Sequence, residues 1–188
     1  MIYSQAKQWW GCVKLFLLMI ILVACIYPMF CTGLAYVFFK EKAQGSLLYR
    51  EGKVIGSHCL GQSFQQAGYF QGRPSVTQYQ TDIFDNTKIL LPGSSGLTQF
   101  KTEQHQKWGP QVPEDLLVPS ASMLDPHLSV AGILLQVPEV AKARNIAPIW
   151  LNRYIFLYLE RPWLNRFGES RINVLELNLA LDKEFGHL

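Results

Sequence analysis

The sequence predicts an α+β protein: a single N-terminal transmembrane helix followed by one mixed α/β domain with a β-hairpin and several short helices. Three observations lead there. The first is a run of 25 residues, Leu15 to Phe39, that holds no charge and is bracketed by Lys14 and Lys40. The second is a pair of short extended runs on either side of the turn Glu51-Gly52-Lys53. The third is a series of helix-opening residues in the second half, Ser129, Pro138, Pro148 and Asn173, each ahead of an apolar stretch. The 188 residues leave room for one domain of ordinary size plus an appendage. Composition excludes other classes. With 49% apolar and 16% charged residues the chain is too hydrophobic to be disordered. A net charge of +3 is too small for a protein built to neutralise nucleic-acid phosphates. Four cysteines in a chain of this length do not make a disulfide scaffold.

The uncharged run, if helical, reaches about 37 Å, more than the roughly 30 Å hydrocarbon core of a bilayer. Trp9 and Trp10 precede it, and Tyr36, Phe38 and Phe39 close it, as interfacial aromatics do. The run is too long for a cleaved signal peptide and lacks a small-residue cleavage site. Leu22-Val23-Ala24-Cys25 resembles a lipoprotein processing box, but the apolar run continues 14 residues beyond Cys25. The expectation is an uncleaved anchor over residues 15–39, preceded by a short segment 1–14. Charge alone does not orient it. Lys7 and Lys14 lie before the helix and Lys40, Lys42, Arg50 and Lys53 after it, which by count puts the C-terminal side inside. Long domains, however, translocate largely regardless of such charges.

Residues 40–188 carry 15 Lys/Arg and 14 Asp/Glu and read as one domain. Residues 46–60 form the hairpin. Residues 71–113, rich in Gly, Pro, Gln, Ser and Thr and without a lasting period, read as mostly loop. Asp125-Pro126-His127 reads as a turn before a helix capped by Ser129. Pro138 suits the first turn of a second short helix reaching Asn145. Pro148 opens a helix through Leu159 that stops near Pro162. In the C-terminal run Asn173 to Asp182, Leu175, Leu177, Leu179 and Leu181 alternate as in a strand. Asn173 with Glu176 three residues on has the logic of a capping box, and the composition favours helix.

Searching for chemistry returns little. Gly45 to Lys53 has the wrong spacing for a phosphate loop, and Val54 stands where Ser or Thr should bind magnesium. Gly93-Ser94-Ser95-Gly96 lacks the nucleophile-elbow pattern. His58 and Cys59 are adjacent, so in a strand they point to opposite faces and cannot share a metal. His105, His127 and His187 are scattered. Arg73, fixed between Gly72 and Pro74 after the aromatic pair Tyr69-Phe70, either ties loop carbonyls together or meets a partner.

Gly61-Gln62-Ser63-Phe64, followed by Tyr69-Phe70-Gln71-Gly72-Arg73-Pro74-Ser75, resembles the signature of the C subunit of the bacterial Kdp potassium-transporting P-type ATPase. The pattern continues in Gly45-Ser46-Leu47, in Gly56-Ser57, in Leu124-Asp125-Pro126-His127-Leu128-Ser129, in Gln136-Val137-Pro138 with Val140 to Arg144, and in Asn173 through Asp182. It includes the Tyr27-Pro28 pair of the membrane helix. The chain departs from the pattern between Gln78 and Lys107, and at Pro119 and Met123.

The resemblance implies an accessory subunit in the bacterial inner membrane, single-pass, with the N-terminus cytoplasmic and residues 40–188 periplasmic. Its implied partners are a potassium-conducting A subunit, an ATP-hydrolysing B subunit and a small F subunit, besides membrane lipid; nucleic acid is not among them. Its implied role is to stabilise the complex and, as a catalytic chaperone, to raise the B subunit's affinity for ATP. With only residues 1–14 on the ATP side, that effect would travel through membrane packing. No catalytic residue, metal ligand or cofactor is assigned to this chain; ATP and potassium are handled by the complex. The residues carried over as family-motif or interface candidates are Gly61, Gln62, Phe64, Tyr69, Phe70, Gly72, Arg73, Pro74, Ser75, Asp125, Asn173, Glu176 and Asn178, with Pro28 and Gly33 for packing of the membrane helix. The competing reading is a stand-alone, membrane-anchored or lipidated periplasmic binding protein derived from that family.

Overall fold

The computed structural model describes residues 2–80, 90–162 and 168–187. The part of the expected 71–113 loop that spans residues 81–89 lies outside them. The chain divides into two units, Met1–Leu47 and Leu48–Leu188.

The first unit is helical. Helix α1 (Ile2–Ile20) passes through one π-helical stretch (Ile21–Ile26) into α2 (Tyr27–Phe38). The wide turn has a local cause. Pro28 has no N–H to offer and its ring collides with the carbonyl of the preceding turn. The helix relaxes just before it, and the N–H of Tyr27 reaches back to the Leu22 carbonyl, five residues away. Trp9–Phe38 is the one helix among the described residues long and apolar enough to cross a membrane, and its side chains are exposed all round within its own unit. It begins well before Leu15, where the uncharged run starts, because Gly11, Cys12 and Lys14 do not break it. At Phe39 the backbone leaves the helical region, and a single turn, α3 (Lys40–Ala43), follows.

In the second unit β1 (Leu47–Arg50) and β2 (Lys53–Ser57) form the expected hairpin. Its two-residue turn has positive φ at both Glu51 and Gly52, which matches the twist of the strands. The other sheet has three short antiparallel strands, β3 (His127–Ser129), β4 (Leu159–Glu160) and β5 (Arg171–Asn173), with β5 in the middle. Leu128 and Leu159 both pair with Ile172, so the three share one face. That face joins the core formed with Phe70, Leu116 and three helices: α6 (Val130–Arg144), α7 (Pro148–Ile155) and α8 (Val174–Phe185). Ile133, Val137 and Val140 of α6, Leu151 and Ile155 of α7, and Leu177 and Leu181 of α8 are all at most 3% exposed. Each such side chain contributes about 1.5–3 kcal/mol of burial energy. The opposite face of the sheet carries His127, Glu160, Arg171 and Asn173.

Four expectations need correction. Residues 95–108, expected as loop, form α4 (Ser95–Trp108), capped by Ser94, whose hydroxyl accepts the N–H of Leu97 at 3.2 Å. The half-buried positions 97, 100, 101, 104, 105 and 108 do recur at helical spacing. They are Leu, Phe, Lys, Gln, His and Trp, so no hydrophobic period marks the face. Pro138 does not open a new helix but sits inside α6. The bond it removes would have met the carbonyl of Leu134, which lies on the exposed side. The helix from Pro148 ends at Ile155 rather than Leu159, passing through a 3₁₀ turn (Phe156–Tyr158) because Leu159 and Glu160 are taken into the sheet as β4. Asp125-Pro126 does turn the chain, but His127 enters β3 before the helix capped by Ser129 begins. The C-terminal run is helical, as propensity and cap indicate: Asn173 Oδ1 accepts the N–H of Glu176 at 3.2 Å. The short helix α5 (Glu114–Leu117) buries Leu116 and Leu117.

Candidate functional site

The residues of the Gly61–Ser75 pattern gather around a stretch of chain, Gly68 to Ser75, that belongs to neither helix nor sheet. Phe70 is fully buried at its centre. Backbone polar groups buried there need partners, and two carboxamides supply them. Asn178 of α8 accepts the Phe70 N–H at 2.9 Å and donates to the Phe70 carbonyl at 2.9 Å. Gln136 of α6 accepts the Gln71 N–H at 2.8 Å and donates to the Gln71 carbonyl at 3.0 Å. Each side chain stands in for a neighbouring strand.

The next anchor is ionic. Asp182 of α8 meets Arg144 of α6 at 2.9 Å, Arg50 of β1 at 3.0 Å and the Tyr69 hydroxyl at 3.0 Å. The Arg144 and Asp182 side chains are 2% and 4% exposed. Burial alone would raise the Asp182 pKa. The hydrogen bonds from Arg144, Tyr69 and Arg50 outweigh it and hold the carboxyl below its ordinary range. Arg144 also donates to the Gly68 carbonyl at 2.6 Å and lies 4.7 Å over the Tyr69 ring. Phe64 stacks on the Tyr69 ring, with centroids 5.5 Å apart. Arg50, Gln62, Phe64, Tyr69, Asn178 and Asp182 line a cleft of about 310 Å³.

Tyr79 explains two glycines. Its hydroxyl donates to the Arg73 carbonyl. A methyl group on Gly72 would stand 2.6 Å from that hydroxyl oxygen. One on Gly61 would stand 2.4 Å from the ring and 2.9 Å from the carbonyl oxygen of Asp125. Burial, with the Asp125 charge adding and Arg73 opposing, pushes the phenol up to about 12, so it remains a neutral donor. Ser75 Oγ accepts the Tyr79 N–H at 3.1 Å and fixes the turn, with Pro74 half-buried beside it. Gly61 donates to the Leu124 carbonyl at 2.8 Å, and Gln62 reaches the Ile55 carbonyl at 2.7 Å.

Arg73 ties a loop carbonyl, as one of its two readings has it: it reaches Val118 O at 3.3 Å and Asp125 at 3.4 Å. Asp125 accepts both the backbone N–H of His127 at 3.0 Å and its Nδ1 at 3.2 Å. That side-chain bond chiefly holds its carboxyl below the ordinary range. Asn173, besides capping α8, donates to the His58 carbonyl at 2.8 Å. Glu176 does not reach back to complete a capping box; its carboxylate turns to His58 Nδ1 at 2.7 Å. Pro28 and Gly33 lie in the other unit, where Gly33 has open space around it.

The candidates therefore fall into a clamp around residues 61–79 and a polar cluster at the sheet. Sequence reasoning missed Gln136, Arg144, Asp182 and Tyr79 as working members. The signal for Gln136 and Asn178 is a carboxamide on the apolar face of a helix, among Ile133, Val137 and Val140 or Leu175, Leu177 and Leu181. Tyr79 lies in the divergent stretch and carries no such mark.

A family profile described as "KdpC: K+-transporting ATPase, c chain" matches residues 9–183. Relatives named "Potassium-transporting ATPase KdpC subunit" include one from Rhodopseudomonas palustris, 41% identical over 83% of this chain and 87% of its own length. Another, from Klebsiella pneumoniae, is 37% identical over 89% of this chain and 93% of its own. A third, from Mycobacterium tuberculosis, is 36% identical over 94% and 98%. With the match running from the apolar helix into the last turn of α8, this chain belongs to the KdpC family, the c chain of the K+-transporting ATPase.

Proposed function

We propose that this chain is the accessory, non-catalytic subunit of a high-affinity, ATP-driven potassium uptake pump. It crosses the inner membrane once, with the N-terminus in the cytoplasm and residues 40–188 in the periplasm. It docks on the potassium-conducting A subunit through the membrane helix and caps the same subunit from outside. This stabilises the assembly with the ATP-hydrolysing B subunit and the small F subunit. Its influence on ATP affinity passes through membrane packing, since residues 1–14 alone share a compartment with ATP.

The observation that carries this reading is the inward use of the family-pattern residues. Asn178, Gln136, Asp182 and Arg144 direct their polar groups at the backbone of residues 68–71 or at one another, and Tyr79, from the divergent stretch, holds the Arg73 carbonyl. Such an arrangement fixes the shape of a surface; it does not present a nucleophile to a substrate. The apolar surface of Trp9–Phe38 supports the anchor. The test is growth of a strain lacking this chain on limiting potassium, with protease added to spheroplasts of the complemented strain. Restored growth and degradation of residues 40–188 are expected. Normal growth without the chain, or protection of that domain in intact spheroplasts, contradicts the reading.

A further inference from the structure

The polar face of the three-stranded sheet holds a cluster that the clamp does not use. His127 on β3 and Glu160 on β4 lie on either side of β5, and His58, just after β2, is held against the same face by the Asn173 side chain. Both imidazoles are oriented the same way. His58 Nδ1 lies 2.7 Å from Glu176 Oε1, and His127 Nδ1 lies 3.2 Å from Asp125 Oδ1. A proton on Nδ1, shared with its carboxylate, leaves the Nε2 lone pair for a metal; the Asn173 amide nitrogen also lies 3.3 Å from His58 Nδ1. Both Nε2 atoms then face the same oxygen, Glu160 Oε1, at 3.9 Å from His58 and 3.4 Å from His127. His127 Nε2 is shielded from solvent and has no hydrogen-bond partner. The other oxygen of Glu160 is held by Arg171 Nε at 2.9 Å, which fixes the carboxylate and leaves Oε1 directed at the imidazoles.

The two imidazoles thus flank one carboxylate oxygen. We propose that His58 Nε2, His127 Nε2 and Glu160 Oε1 form a site for a zinc-class divalent ion, with Glu176 and Asp125 as the outer carboxylates. A tetrahedral zinc with bonds of about 2.0–2.1 Å has ligand-to-ligand edges of roughly 3.4 Å. The two separations to Glu160 Oε1 are at that value or half an ångström above it; to meet on one ion the two imidazoles, with ring centroids 6.3 Å apart, must also close toward each other. The carboxylate–histidine–metal arrangement appears twice, and it is the one that fixes tautomer and ring orientation in metal sites. Two imidazole nitrogens select a borderline transition ion over potassium, magnesium or calcium, which take oxygen ligands. Glu176 belongs to the same cluster: one donor atom each from His58, Glu160 and Glu176 falls within 4.8 Å of the others. A water completes the set. The site is independent of the pump reading and would fix the hairpin end to the sheet.

The test uses the full chain in detergent, purified without a histidine tag, stripped with chelator and titrated with zinc. One zinc per chain is expected, with zinc-edge X-ray absorption reporting only nitrogen and oxygen neighbours and at least one imidazole. Glu160→Gln and His127→Ala should each weaken binding tenfold or more with the far-ultraviolet circular dichroism unchanged, whereas His105→Ala and His187→Ala should leave it as it is. The absence of stoichiometric binding overturns the proposal. So does sulfur at about 2.3 Å, which would put the metal on the exposed thiols. The absorption spectrum of the wild-type chain decides the ligand type even if a variant fails to fold.

Discussion

Replacing Asn178 by alanine removes both hydrogen bonds from the backbone of Phe70, a residue with no exposed surface. The N–H and carbonyl left behind have no strand to turn to, and Asn178 itself is 1% exposed, so water does not enter freely. An orphaned buried polar group costs about 1–3 kcal/mol. Two of them, plus the small void, give about 3–5 kcal/mol, a large part of the roughly 5–15 kcal/mol typical of a domain. Asn178→Asp keeps an acceptor for the Phe70 N–H but sets a second oxygen against the Phe70 carbonyl. That contact is favourable only when the new carboxyl is protonated, so its folded-state pKa is raised. The variant should therefore lie near the wild type below about pH 4 and fall behind it as pH rises through the folded value. Urea unfolding of the full chain in detergent, followed by near-ultraviolet circular dichroism at several pH values, measures both effects. Hydrogen exchange at the Phe70 amide reports the local one. Gln99→Ala, on the exposed side of α4, serves as a control expected to change stability by less than about 0.5 kcal/mol. A loss below about 1 kcal/mol in Asn178→Ala, with the Phe70 amide still protected, would refute the clamp.

Gly72→Ala should cost about 1–3 kcal/mol by overpacking against Tyr79, and most of that cost should vanish in a Tyr79→Phe background, where the nearest ring atom is 3.6 Å away. Gly61→Ala should remain costly in the same background, because the Asp125 carbonyl oxygen still blocks it; a double-mutant cycle in urea reads both. Since the Asp182 carboxyl is held below its ordinary range, its stabilisation is present above about pH 4 and lost as pH falls through the folded value. Asp182→Asn should thus be less stable than wild type at pH 7, with the gap narrowing in acid. Ser129→Ala removes the cap of α6 and should cost about 0.5–2 kcal/mol in the same unfolding assay. Gly33→Leu should reduce recovery of the pump subunits while leaving the unfolding of residues 48–188 unchanged.

The hairpin, the apolar helix and the C-terminal helix were legible because each depends on nearby residues. Glu51-Gly52 makes its turn locally, the uncharged run needs no partner to be read, and Asn173 caps α8 from its own N-terminus. What escaped depends on distant contacts. Helix α4 turns the half-buried Lys101, Gln104 and His105 to its inner side, so polarity conceals the period. Strands β3, β4 and β5 are two or three residues long and exist only because they pair with one another. Pro138 reads as a start locally, yet the packing of Ile133, Val137 and Val140 carries the helix past it. In the candidate site, the 61–75 pattern covers the clamped segment, whereas much of the clamp comes from positions 61 to 121 residues further on in the chain: Gln136, Arg144 and Asp182. His58 and His127 are likewise 69 residues apart, so the sequence offered only Cys59 as a neighbour for His58.

Whether the chain works as a subunit of a potassium pump is decided by affinity purification of the full chain co-expressed with the A, B and F subunits. The prediction is a stable complex containing all of them, diminished when residues 15–39 are replaced by an unrelated membrane helix. Recovery of this chain alone, from cells in which the other subunits assemble without it, would contradict the claim.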